Sequence, residues 1–282
     1  MIRHLPALLV VIPLMAAPVA ALLKWRRAAW GLALVTSWAV LAMAVLLLNR
    51  VLAEGPISYA GGGWVAPIGI EYRIDVVSAW VLVIVASVGA VVMPYSRTSL
   101  IREVEPQKIP LIYSALLLCL TGLLGIAATG DVFNLFVFLE ISSISAYALI
   151  ATGPDRRALH AAFKYLIMGS VGATFIVIGI GMLYMMTGTL NMADLAQRLP
   201  DVSSRTVSVA FAFLTVGISL KIALFPLHLW LPDAYTFAPS SITAFLASTA
   251  TKVAVYMMVR FLFTIFGPEF SLEVMAFQWV LM

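Results

Sequence analysis

The feature that most constrains this chain is a succession of apolar runs, each about as long as a bilayer is thick in helical residues, repeated almost from end to end. They cover Leu5 to Leu23, Ala28 to Leu48, Val76 to Met93, Ile109 to Thr129, Val132 to Thr152, Leu159 to Met186, Val207 to Leu231 and Ile242 to Phe266. A bilayer core accepts a helix of roughly 20 mostly apolar residues because a helix satisfies its backbone N–H and C=O groups internally. The other solution, a closed barrel, needs polar and apolar residues in alternation, and these runs do not alternate. The expected fold class is all-α integral membrane. The 282 residues leave room for about nine spans, of which eight can be read directly.

Composition removes the soluble classes. The chain is 63% hydrophobic and 11% charged, with a mean hydropathy of +1.05, whereas a soluble domain is about half apolar and one quarter charged. The net charge of +4 is spread over short loops and forms no basic face, so the bilayer and not nucleic acid is the expected partner. A single cysteine, Cys119, lies inside an apolar run. It excludes an intrachain disulfide and a thiolate-held cluster. No zinc-binding His pair, phosphate loop or acidic cluster stands out, so no cofactor and no metal are expected. A cleaved leader is disfavoured because Lys24, Arg26 and Arg27 follow the first run at once, with another span behind them.

Loops give the orientation. One alternate set carries Lys24, Arg26, Arg27, Arg97, Arg102, Lys108, Arg156 and Arg157; the other carries Arg3, Arg50, Arg73, Arg198, Arg205 and Arg260. The richer set is expected on the cytoplasmic side, which puts the N-terminus outside the cytoplasm. The segment from Asn49 to Asp75, with Gly61, Gly62 and Gly63, is expected to pack as a small extracytoplasmic cap. Val274 to Met282 is apolar but too short to cross and reads as the start of a ninth helix, so the sequence reads as stopping before the fold does. Gly169 and Ala173, four apart, fit close helix packing.

The ionisable residues inside spans carry the functional content: Glu140, Lys164, Lys221 and Lys252, with His160 nearer an edge and His228 nearer a break. A charge at the bilayer centre costs about 2.5 to 3.5 kcal/mol on insertion scales, so such residues are expected to face the bundle interior and to mark a proton or ion path. Lysines near helix ends can snorkel. Lys252 is about ten residues into its span, roughly 15 Å at 1.5 Å per residue, beyond the reach of its stem. Glu140 is eight residues in, with Ser143 and Tyr147 on its face and able to bond along it. Lys164 is only five residues in, and snorkelling stays open for it. Lys221 precedes Pro226 and Pro232, which break the helix near His228 and Asp233. Freed backbone groups at membrane depth are tolerated where they line a cavity, and transporters place ion sites at such breaks. Desolvated lysines beside one carboxylate suit the loading and release of protons.

At these residues the sequence resembles the antiporter-like membrane subunits shared by respiratory complex I, membrane-bound hydrogenases and Mrp-type cation/proton antiporters. The motifs are GDVFNLFVFLE at 130–140, AAFKY at 161–165, TGTLNMADLA at 187–196, KIALFPLHLWLPDA at 221–234 and TKVAVY at 251–256, in order over residues 60 to 266. GGWVAPIGI at 62–70, with Asp75 and Ser78, looks most like the D-type subunit of the Mrp antiporters. The resemblance implies that Glu140 pairs with Lys221 on a broken seventh helix, that Lys252 continues the relay, and that Lys164 matches a sixth-helix lysine. It implies about fourteen helices in two inverted five-helix repeats, of which this chain holds the first: residues 1–108 as three leading helices, 109–266 as the repeat, and 267–282 as the start of the next helix.

Three functions follow as expectations. The leading one is a proton-translocating half-channel in a multi-subunit Na+(K+)/H+ antiporter of a bacterial inner membrane. In it, other membrane subunits, protons and a monovalent cation are the partners, and the chain by itself is a transport subunit and not an enzyme. The alternative couples the same relay to redox chemistry, as a membrane-arm subunit of a complex I-like NADH:quinone oxidoreductase or hydrogenase. The third is a scaffold whose charges only hold an assembly together.

Overall fold

A computed structural model describes residues 4–23, 25–202 and 204–275. Its elements are α1 (Leu5–Leu22), α2 (Arg26–Glu54), β1 (Ile57–Ala60), β2 (Glu71–Ile74), α3 (Val76–Glu103), α4 (Ile109–Ala128), α5 (Val132–Ile150), α6 (Arg157–Thr187), α7 (Met192–Arg198), α8 (Arg205–Ile222), α9 (Leu231–Phe237) and α10 (Ser240–Val259). Among the described residues eight helices are long and apolar enough to cross a membrane, and α10 with the π-helical turn Arg260–Ile265 counts as the eighth. The protein is a multi-pass, all-α membrane protein. Arg3 and Lys24 of the orientation reading, and residues 276–282 of the expected ninth helix, lie outside the described residues.

The bundle is organised around α4. In its most apolar window 83% of residues are buried, against 33–56% for the other spans, as expected of a helix that is apolar on every side. α5 lies directly on α4 because Gly122 and Gly125 remove side chains from the contact. A Cβ on Gly122 would stand 2.6 Å from the Phe138 carbonyl oxygen and the Ser142 amide. α6 and α8 approach equally closely at Gly217, where a Cβ would lie 2.6 Å from the Gly172 carbonyl oxygen. These contacts are the close approach that small residues allow between helices in lipid.

At one end of the bundle three loops are sewn together. β1 and β2 form an antiparallel hairpin with Ile57 opposite Ile74, so the segment expected as a cap does pack, but with strands that composition did not announce. It is also shorter than expected, because α2 continues to Glu54. The Gly130 amide donates to the Glu71 carbonyl at 2.9 Å, Val132 to Leu190 at 2.9 Å and Met192 to Gly130 at 2.9 Å. The buried Glu71 carboxylate accepts from Ser58 Oγ at 2.6 Å and from Asn191 Nδ2 at 2.8 Å. Asp131 caps α5 by accepting from the Asn134 amide, and Asn191 caps α7. The GDVFN and TGTLNMADLA segments are thus partly architectural.

The seventh span ends earlier than its hydropathy suggests. α8 stops at Ile222, and Ala223 takes a left-handed conformation with φ 64°; residues 224–230 turn irregularly before α9 begins. Hydropathy carries the run to Leu231 because the residues of the break are themselves apolar.

Candidate functional site

Lys221 sits in the last turn of α8, where a cation is favoured by the helix dipole. The helix end is closed by its surroundings. Leu224 N–H donates to the Ser219 carbonyl at 3.0 Å, and Trp230 Nε1 donates to the Leu220 carbonyl at 3.0 Å. Trp230 is buried and stacks on Tyr165 of α6 with ring centroids 4.0 Å apart. The break therefore has defined partners that close the end of α8 at Lys221.

The lysine side chain is only 4% exposed and points at α5. Its Nζ donates to Ser143 Oγ at 2.9 Å and to Tyr147 Oη at 3.4 Å, and lies 3.9 Å from Glu140 Oε1. Glu140, Ser143 and Tyr147 are three and four residues apart and share a helix face. The expected pair is thus brought together, with one difference: Ser143 and Tyr147, expected to serve the carboxylate, serve the ammonium. Glu140 Oε1 is buried with no hydrogen bond, while the glutamate side chain as a whole is 30% exposed at the edge of the bundle. A cavity of about 30 Å³ adjoins Lys221, lined also by Cys119, Ser143, Tyr165 and, from α10, Val253 and Met257. Its size suits an ordered water.

The other expected site residues are placed separately. Lys164 pairs with Asp233 at 2.9 Å, joining α6 to the first turn of α9, both side chains being partly exposed. It does not reach Glu140. His228 lies in the turns of the break and not on a helix; its Nδ1 is buried without a hydrogen bond and its ring is 5.6 Å from that of Phe225. Pro226 and Pro232 flank this segment, the latter in the first turn of α9. Lys252 corrects an expectation. Its side chain lies on the outer surface of this chain and folds back to the Ala247 carbonyl at 2.5 Å, with Thr251 Oγ1 at 3.3 Å. The depth of Lys252 along α10 was legible, but serines and threonines lie on both the buried and the exposed side of that helix, so hydropathy could not tell which one turned inward.

A second charged group was missed. Asp75, which caps α3 in a box with Ser78, accepts from Arg260 Nη2 at 2.5 Å. Arg260 Nε also donates to Tyr256 Oη at 2.8 Å, and Tyr256 donates to the Ala127 carbonyl at 3.1 Å. Burial alone pushes the Asp75 carboxyl up, but the hydrogen bonds from Arg260 and Ser78 together with the charge of Arg260 outweigh it and hold it below the usual carboxylate range. The network lines a cavity of about 330 Å³ beside Arg73, Thr129 and Gln197. Asp75-x-x-Ser78 was readable as a capping box; its distant arginine was not.

The profile of the family described as NADH:quinone oxidoreductase/Mrp antiporter, transmembrane region, matches residues 129–282, more than half of the chain. The chain belongs to this family. It is 45% identical over 267 residues to the N subunit of the NADH-quinone oxidoreductase of Desulforudis audaxviator, covering 93% of this chain and 53% of that protein. It is 34% identical over 223 residues to the D subunit of the Na(+)/H(+) antiporter of Bacillus subtilis, covering 78% and 44%. Among solved structures, it superposes with a TM-score of 0.87 and 35% identity on a chain of the membrane-bound sulfane sulfur reductase, an archaeal respiratory membrane complex, covering 92% of this chain and 53% of that one. For the Mrp complex from Dietzia sp. DQ12-45-1b the TM-score is 0.84 at 25% identity, with 94% and 49% covered. The chain spans about half the length of the relatives it matches, and these structural neighbours are parts of multi-subunit membrane assemblies.

Proposed function

We propose that this family member is a proton-translocating subunit of a multi-subunit membrane assembly, with Glu140 and Lys221 as the switching pair of a half-channel. The observation that carries this reading is the state of Lys221: a membrane-embedded cation held at 2.9 Å by a neutral hydroxyl, with the Glu140 carboxylate 3.9 Å away and not hydrogen bonded to it. A cation so placed can close on the acid or release from it with a sub-ångström to ångström movement, and each position favours a different protonation state. Lys164 with Asp233 and His228 stand on the break side of this pair, and Lys252 continues the line beyond the chain's own surface, toward protein that would cover it. The assembly is that of a bacterial inner membrane, with the N-terminus extracytoplasmic.

The coupling has two readings. Exchange of Na+ or K+ for protons is supported by the motifs of the D-type subunit and by the 34% identity to the antiporter protein. Redox-driven pumping beside quinone- or sulfur-reducing partners is supported by the 45% identity to the oxidoreductase N subunit and by the 35% identity to the sulfane sulfur reductase chain, and these higher identities make it the favoured one. Proton uptake into inverted membrane vesicles, followed with a pH-sensitive dye, tests both. Uptake started by an electron donor and lost in Lys221→Ala supports the redox reading; a response to added Na+ or K+ alone supports antiport; full uptake in Lys221→Ala removes the relay itself.

A further inference from the structure

Gly169 reads from sequence as a small residue for helix packing, but its neighbour is a functional atom. The packing of α6 against α8 is done by Gly172, Gly179 and Gly217, whose missing side chains face each other's helices. Gly169 instead faces α5. A Cβ built on it would overlap the hydroxyl oxygen of Tyr147 and lie 2.9 Å from Cζ and 3.2 Å from Cε1 of that ring. Tyr165 packs edge-on against the ring at 4.6 Å and is itself stacked on Trp230, which limits how the ring can move on that side. The hydroxyl therefore occupies the volume that Gly169 leaves, and from there it accepts a hydrogen bond from Lys221 Nζ at 3.4 Å.

We propose that Gly169 is a positioning residue for the proton relay: by making room for the Tyr147 hydroxyl it keeps a neutral acceptor on Lys221, so that the ammonium rests between hydroxyls instead of on Glu140. The inference rests on the reading of Glu140 and Lys221 as a relay. Glu140, Ser143 and Tyr147 from α5 contact Lys221, and Ser142 from α5, Tyr165 from α6 and Cys119 from α4 line the cavity beside it; α10 offers that cavity only apolar side chains. Removing one hydroxyl from this set leaves Ser143 and Glu140 to hold the cation and tilts its resting position toward the acid.

The experiment uses the native assembly in membranes and compares Gly169→Ala, Tyr147→Phe and the double variant, with Lys221→Ala as reference. The readouts are assembly, initial proton-uptake rate and the pH–rate profile. At 3.4 Å the contact is long for a bond to a charged group, so its loss in each single variant is that of an ordinary hydrogen bond and lowers the rate roughly three- to tenfold. Both single variants should displace the pH–rate profile in the same direction and by a similar amount, which a packing defect alone does not do. The double variant should be no slower than Tyr147→Phe, because both changes remove the same contact. An unchanged profile in Tyr147→Phe, or a double variant whose losses multiply, overturns the proposal. Should Gly169→Ala fail to assemble, the double variant, in which the overlap with the oxygen is gone and only the 2.9 Å approach to Cζ is left for a small ring shift, is compared with Tyr147→Phe alone: an equal pH–rate profile supports the proposal and a different one overturns it. If Lys221→Ala itself transports normally, the relay reading has failed and not merely the role of Gly169.

Discussion

Lys221 Nζ is 2.9 Å from Ser143 Oγ and 3.9 Å from Glu140 Oε1, so a neutral hydroxyl and not the carboxylate makes the short contact with the buried cation. That ordering sets the first expectation. Ser143→Ala removes a hydrogen bond to a charged group, which contributes about 1.5 to 3 kcal/mol. The lysine should then close on Glu140. Infrared difference spectra of the assembled protein should show a shifted carboxylate band that is absent in Glu140→Gln, and proton uptake should fall; unchanged spectra and uptake would show that the hydroxyl does not govern the pair.

Lys252 separates a relay from a scaffold. On this chain the lysine is exposed and its hydrogen bonds go only to its own helix, so an apolar replacement of similar length breaks no contact with another helix. Lys252→Met should leave assembly intact and abolish proton uptake. Normal uptake with normal assembly would support the scaffold reading, as measured by native electrophoresis beside vesicle assays.

Asp75 and Arg260 tie the start of α3 to the end of α10. Asp75→Asn is expected to cost about 1 to 3 kcal/mol by weakening a largely enclosed charged contact, seen as a lower unfolding midpoint in detergent. The pH sign follows from the depressed folded-state pKa of Asp75. The contribution is complete above the carboxyl's unfolded value and is lost as pH falls through the lower folded value. Stability of the unmodified protein should decline in that acid window, and Asp75→Asn should flatten the decline.

Ala223 ends α8 with φ 64°, a conformation that costs a residue bearing a Cβ roughly 1 to 2 kcal/mol. Ala223→Gly should therefore raise the unfolding midpoint without moving the site, since the break is also held by Trp230. A lowered midpoint would mean that the methyl group packs usefully in the break.

Gly217 lies 2.6 Å from the Gly172 carbonyl oxygen, measured from a Cβ built on it. Gly217→Ala forces α6 and α8 apart and should destabilise by about 1 to 3 kcal/mol. A circular-dichroism melt of the purified assembly checks it, and an unchanged melt would deny the close packing.

How much was legible depended on the kind of information each residue carries. The spans, the break after Lys221 and the candidacy of Glu140, Lys164, Lys221 and Lys252 could be read because hydrophobicity and charge act locally: a run must match the bilayer, and an ionisable group within it demands compensation. The caps of α3 and α7 were also present in Asp75-x-x-Ser78 and Asn191. The hairpin 57–74 was not, because its strands are held by loops from 129–131 and 188–191 that are remote in sequence.

The sequence by itself determined that this chain lives in the membrane, where its charges are lodged in depth, and to which family its motifs belong. Only the tertiary structure decided which of those charges meet. It put Lys221 on the hydroxyls of Ser143 and Tyr147, gave Lys164 to Asp233, Arg260 to Asp75, and turned Lys252 outward. The physical reason is azimuth: in helices that are apolar on nearly every side, rotation about the axis leaves hydropathy unchanged, so packing contacts such as Gly169 against Tyr147 choose the face.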